Sequence, residues 1–178
     1  MKIGPIDLDK DIMIVAEVGN NHEGSVALAE EMIGRAAETG VDAVKFQTIV
    51  PEELISATQT ERINQLGKFR LSHKDFEKLA RIANQEKILF LSTPFDIESA
   101  RFLDGLVPAH KIASGDNTFL PLIDVIARTG KPILLSTGLT DLGEIVRTKD
   151  FIFDIWNRLE IHQEFSWRND LKMLPARL

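Results

Sequence analysis

The chain contains no cysteine, which excludes disulfides and thiolate metal sites and makes a reducing compartment compatible. It has no apolar run near the roughly 18 residues of a membrane-spanning helix. Its first residues, MKIGPIDLDK, lack the apolar core of a signal peptide. A positive excess is also missing: 21 Lys and Arg face 27 Asp and Glu, for a net charge of −6. No overall field therefore draws in nucleic acid or an anionic membrane, and neither is expected as a partner. The four histidines, His22, His73, His110 and His162, are scattered, and none has ligand spacing to another, so this chain offers no metal site by sequence. With 178 residues and 44% hydrophobic content, the expectation is one soluble, cytoplasmic α/β domain.

What is present is a repeat of strand, polar tip and helix. The apolar run Ile12 to Val18 carries Glu17 near its end and leads into a loop bracketed by Gly19 and Gly24. Leu28, Ala29, Met32, Ile33, Ala36 and Ala37 then form a helical stripe that stops at Gly40. Asp42 to Gln47 is a second strand. The excursion Thr48 to Leu71 has the length of a lid or of a loop carrying small helices. Ser72 caps a helix with the stripe Phe76, Leu79, Ala80 and Ala83, and Ile88 to Ser92 follows as the third strand. Asp96 caps a short helix to about Leu103, and His110 to Ser114 is the fourth strand. Leu120 to Arg128 is helical, Pro132 to Ser136 is the fifth strand, and Asp141 with Glu144 opens the last helix as a capping box.

Alternating elements of this kind predict a parallel sheet with right-handed crossovers. An open doubly wound sheet and a barrel both satisfy the pattern. Reactive residues at every strand end favour strands arranged around one centre. The expected fold is therefore an incomplete (β/α)8 TIM-type barrel of about five parallel βα units over residues 1–163, followed by an irregular tail over 164–178.

The strand ends supply Glu17; Lys45 and Gln47; Ser92 and Thr93; Lys111, Ser114 and Asp116; and Ser136 with Thr137. Two lysines, several hydroxyls and glycine-containing turns describe an anion cradle, in which ammonium groups supply charge and hydroxyls supply short hydrogen bonds. Lys45, between Val44 and Phe46, is costly to bury without an anionic partner. Taken singly, each residue has a plain structural reading: lysines at strand ends are often solvated, and Ser or Thr there close turns or cap helices. Their coincidence at five equivalent positions points to a site. His22 reads as a hydrogen-bonding loop residue and His110 as lying on the outer side; His162 belongs to the last helix or its end.

The motifs AEVGNNHEG, DAVKFQT, LFLSTPFD, HKIASGD and PILLSTGLTDLGEI, in this order and spacing, resemble the N-acetylneuraminate (sialic acid) synthase family, which includes the legionaminate and pseudaminate synthases. That family has a (β/α)8 barrel followed by an antifreeze-like domain, for which no counterpart is expected in this chain. The resemblance implies a transferase of carbohydrate biosynthesis that condenses phosphoenolpyruvate with an N-acetylated hexose, of the N-acetylmannosamine type, and releases phosphate. It assigns phosphoenolpyruvate to Lys45, Thr93, Lys111, Ser114 and Ser136. Catalytic positions facing the sugar and the reacting carbons fall to Glu17, Gln47 and Asp116. It also implies a divalent metal, Mn or Mg, at the sugar aldehyde. The family's two histidine ligands lie on the sixth and seventh strands and are missing from this chain. A homodimer is implied for the full-length family. Where a sixth strand is expected the chain reads NDLKMLPARL, which gives the expectation of a truncated or frameshifted reading with negligible turnover alone. The residues also leave open a Schiff-base aldolase using Lys45 or Lys111, and a non-catalytic fragment that binds phosphorylated ligands.

Overall fold

The computed structural model describes residues 1–161. The expectations for His162 and for the 164–178 tail lie outside the described residues. The chain opens with a two-stranded antiparallel hairpin, β1 (Lys2–Ile3) and β2 (Ile6–Asp7), which turns at Gly4 with φ +56°. Five βα units follow. They are β3 (Val15–Gly19) with α1 (Val26–Glu38); β4 (Ala43–Thr48) with α2 (Pro51–Leu54), α3 (Thr60–Gly67) and α4 (His73–Gln85); β5 (Leu89–Pro94) with α5 (Ile97–Asp104); β6 (His110–Ile112) with α6 (Leu120–Arg128); and β7 (Ile133–Leu135) with α7 (Leu142–Arg158).

Local chemistry sets the helix starts. Ser25 accepts from the Leu28 amide, Ser72 and Asp75 form a reciprocal capping box, and Asp96 and Asp141 accept from the amides of Ser99 and Glu144. Gly40 and Gly130 close α1 and α6 with φ of +78° and +69°. The long excursion after β4 carries α2 and α3, small helices of its own.

The strands form two parallel ladders, β3-β4-β5 and β6-β7, with β5 and β6 side by side. Register divides their side chains between two faces, because alternate residues point to opposite sides and aligned residues share one. Val44, Phe46 and Phe90 point outward into a core with α1 and α4. Ile112, Ile133 and Leu135 do the same against α6 and α7. The inward face carries Val15, Ala43, Leu89, Leu91, Ala109 and Leu134, and the hairpin closes over them with Ile3, which is fully buried. This is an arc of a barrel, with helices outside and an apolar floor beneath the strand ends.

Three details depart from the sequence reading. The first long strand begins at Val15, and Ile12 and Ile14 are exposed beside it, because β3 pairs only with β4 and nothing covers its other side among the described residues. The first residues, for which the sequence shows no element, form a hairpin over 2–7: only tertiary contact rewards burying Ile3. Ser114 leaves the fourth strand for a 3-10 turn, Ser114–Asp116, so the chain bends where a longer strand is expected.

Candidate functional site

Above the apolar floor, the inward face turns polar within one or two residues on every strand. Glu17 and Lys45 are register partners and form an ion pair through Glu17 Oε2 and Lys45 Nζ. Two residues further up β4, Gln47 aligns with Thr93 of β5, and Thr93 is buried. A bulge between Glu17 and Gly19 brings Gly19, at φ +57°, over this corner. A Cβ at Gly19 would lie 3.3 Å from Glu17 Oε1 and 3.9 Å from Gln47 Cδ, so Glu17 and Gln47 both border a position that only glycine leaves open.

Across the arc, Lys111 aligns with Leu134, and its ammonium donates to Ser136 Oγ at 2.6 Å and to the Ile112 carbonyl at 2.5 Å. Both acceptors are neutral. Burial, reinforced by the nearby charge of Lys45, pushes Lys111 down to about 8, against the opposing pull of Glu17 and Asp116. These four groups therefore act on one another across the strand ends. Asp116, on the 3-10 turn, is raised by burial, with the Lys111 charge working the other way, and its buried Oδ2 accepts no hydrogen bond among the described residues. Ser114 lies against the loop after β7, with its Oγ 3.6 Å from where a Cβ on Gly138 would stand.

Glu17, Lys45, Gln47, Thr93, Lys111, Ser114, Asp116 and Ser136 thus occupy one end of one arc. Ser92 does not join them: it faces the helical layer, where its hydroxyl lies 2.7 Å from Thr48 Oγ1. Thr137 is exposed. His22 is buried outside the arc, its ring 6.0 Å from Phe46 and its Nδ1 accepting from the Gly24 amide at 3.1 Å; burial lowers its pKa. His110 is also buried on the outer side, 3.1 Å from the Asp104 carboxylate, with its pKa lowered by burial against that partner. A residue the sequence reading passed over is Asn117, buried directly after Asp116; the polar run SGDN behind a strand is the signal that could have marked it.

Ammonium groups, hydroxyls and an amide around an apolar floor bind an anion with a short carbon skeleton. Among the described residues no three His, Cys, Asp or Glu side chains converge on a point, so the residues present do not build a cation site.

The NeuB family model matches residues 32–166. The chain is 39% identical over 150 residues to N,N'-diacetyllegionaminic acid synthase of Campylobacter jejuni, covering 76% of this chain and 45% of that protein. It is 32% identical over 142 residues to human N-acetylneuraminate-9-phosphate synthase, covering 72% of this chain and 40% of the relative. The crystal structure of N-acetylneuraminic acid (sialic acid) synthetase from Leptospira borgpetersenii, in complex with citrate, superposes with a TM-score of 0.83 at 30% identity. That match covers 87% of this chain and 55% of that one. The chain spans less than half the length of the curated relatives it matches. The arc of parallel strands is part of a (β/α)8 barrel. With a family model covering most of its residues and the same fold beneath them, this chain belongs to the NeuB family of sialic acid and related nonulosonate synthases.

Proposed function

We propose that the chain carries the phosphoenolpyruvate half of a nonulosonate synthase site, the other substrate being an open-chain N-acetylated hexose. The reaction joins C3 of phosphoenolpyruvate to the aldehyde carbon, adds water at C2 and releases phosphate by C–O cleavage. One observation carries the reading. Two ammonium groups, Lys45 and Lys111, act on each other above an apolar floor, with the Ser136 hydroxyl bonded to the second.

In this reading Lys45 and Lys111 hold the phosphate and carboxylate, with Thr93, Ser114 and Ser136 completing the hydrogen bonds. Glu17 and Gln47, which both border Gly19, face the sugar and the reacting carbons. Asp116, kept above the ordinary carboxylate range by burial, is suited to carry the proton that the aldehyde oxygen takes up. The family's divalent cation finds no ligand set among the described residues. Phosphoenolpyruvate is made and consumed in the cytoplasm, so the reading extends to that compartment.

Calorimetry tests this directly. Titrating phosphoenolpyruvate into the chain is expected to give saturable heat. Lys111→Ala is expected to weaken binding by about tenfold to a hundredfold, as for losing a hydrogen bond to a charged group. Lys45→Ala, which also strands Glu17, is expected to weaken it as well. No heat with the unaltered chain, or heat indifferent to both substitutions, overturns the proposal. A second reading, a Schiff-base aldolase, draws on Lys111 being pushed down to about 8. Borohydride trapping with a 2-oxo acid separates the two, since a permanent mass gain on Lys111 belongs only to the second.

A further inference from the structure

The acceptor that Lys111 uses, Ser136 Oγ, sits where β7 gives way to the loop 136–140, and that loop draws two hydrogen bonds from outside its own sequence. Leu139 within it has φ +55°, a left-handed conformation that a branched side chain adopts only under constraint, and it is fully exposed, so no packing of its own holds it. The constraint comes from the neighbouring βα unit. Asn117, only 2% exposed, spends both amide hydrogens on the loop: Nδ2 donates to the Ser136 carbonyl and to Thr140 Oγ1, each at 2.8 Å. Thr140 passes the restraint on, its hydroxyl donating to the Gly138 carbonyl at 3.1 Å. Asn117 is itself anchored, its carbonyl accepting from Thr148 Oγ1 of α7 at 2.7 Å. The amide can face only this way, because turning it over would set Oδ1 against the Ser136 carbonyl oxygen.

We propose that Asn117 is a positioning residue for the anion cradle: through Thr140 it locks the loop 136–140, which places Ser136 on Lys111 and Gly138 against Ser114. The inference rests on the phosphoenolpyruvate reading for its ligand, though not for its geometry. Asn117 touches neither Lys111 nor the ligand, and acts through Ser136 and Gly138.

The test uses the full chain and three variants, Asn117→Ala, Thr140→Val and Thr140→Ser. Thr140 is half-buried, so Thr140→Val tests the same lock without emptying a buried site, should Asn117→Ala fail to fold. Calorimetry with phosphoenolpyruvate is expected to show about tenfold weaker binding for Asn117→Ala and Thr140→Val, on the scale of one net hydrogen bond. Thr140→Ser, which keeps the hydroxyl relay, is expected to restore binding to within about twofold. Wild-type affinity in Thr140→Val overturns the proposal, as does a loss in Thr140→Ser as large as in Thr140→Val. If the unaltered chain binds no phosphoenolpyruvate, the functional reading fails and a second readout decides this one. NMR titration of the Lys111 side chain is expected to give a midpoint near 8 in the unaltered chain and in Thr140→Ser. In Thr140→Val the midpoint falls, because the ammonium loses a held acceptor. Identical midpoints in all three proteins overturn the proposal.

Discussion

At the scale of single residues, the two lysines of the cradle are chemically unlike although both sit on inward strand positions. Lys45 has a carboxylate, Glu17, as its register partner, so its charge is matched before any ligand arrives. Lys111 has a hydroxyl and a carbonyl, which stabilise an ammonium but do not neutralise it. Its lowered pKa gives a signed prediction. Binding of a phosphorylated anion needs the protonated form, so phosphoenolpyruvate affinity should hold from pH 6.5 to 7.5 and fall as pH rises through about 8. The stability linkage has the opposite sense. The unfolded chain keeps that proton up to the ordinary lysine value, so relief of the buried charge adds stability as pH rises from about 8 towards 10.5. Calorimetry at stepped pH checks the first claim; an affinity flat from pH 7 to 9.5 refutes it. Sequence reasoning reached Lys45 because a strand lysine between apolar neighbours asks for an anion, and Lys111 because it stands at an equivalent strand end. It had no means of telling which lysine meets a carboxylate, since that depends on strand register.

Among the elements, the N-terminal hairpin contributes most for its size. Each of its strands has two residues, too few to persist alone, yet Ile3 seals the inward face against Ala43, Leu91 and Ala109. Truncating a fully buried Ile costs about 2–5 kcal/mol in well-packed cores. Ile3→Ala is therefore expected to lower the denaturant midpoint without changing the register of β3 to β7, as urea unfolding monitored by circular dichroism would show. An unchanged midpoint would mean that the floor does not depend on the hairpin. The loop after β3 is held just as tightly: Gly24, at φ +79°, approaches so close that an added Cβ would lie 2.1 Å from the Lys68 carbonyl oxygen. That contact joins the first βα loop to the end of the long excursion after α3. The helices were largely legible because their caps and apolar stripes are local; α6 runs from Leu120 to Arg128, as its pattern predicts. The hairpin was not, because Lys2 to Asp7 shows only one buried side chain and a Gly-Pro turn. The 3-10 turn at Ser114 was not legible either, because nothing local distinguishes KIAS that stays extended from KIAS that bends.

Over the whole molecule, the arc is open at both sides. Among the described residues β3 and β7 each have one paired and one unpaired edge, with Ile12 and Ile14 exposed just before the first and Leu139 exposed in the loop after the second. In the proposed reading, an arc open in this way among the described residues leaves the sugar side of the cradle in water, where charged intermediates are poorly protected and the attacking groups poorly aligned. The isolated chain is expected to bind phosphoenolpyruvate without turning it over. Sustained phosphate release from phosphoenolpyruvate and an N-acetylhexosamine, with Mn or Mg supplied, would refute that.

The sequence by itself determined the alternation of strands and helices, the starts of the helices with side-chain caps and which residue types stand at the strand ends. Each of these rests on period, capping and composition within a short stretch of chain. Only the tertiary structure decided that Glu17 pairs with Lys45, that Ser92 faces away while Thr93 faces in, and that Asn117 governs a loop twenty residues further on. Those outcomes depend on register and on which βα unit lies beside which, and neither is encoded within any one segment.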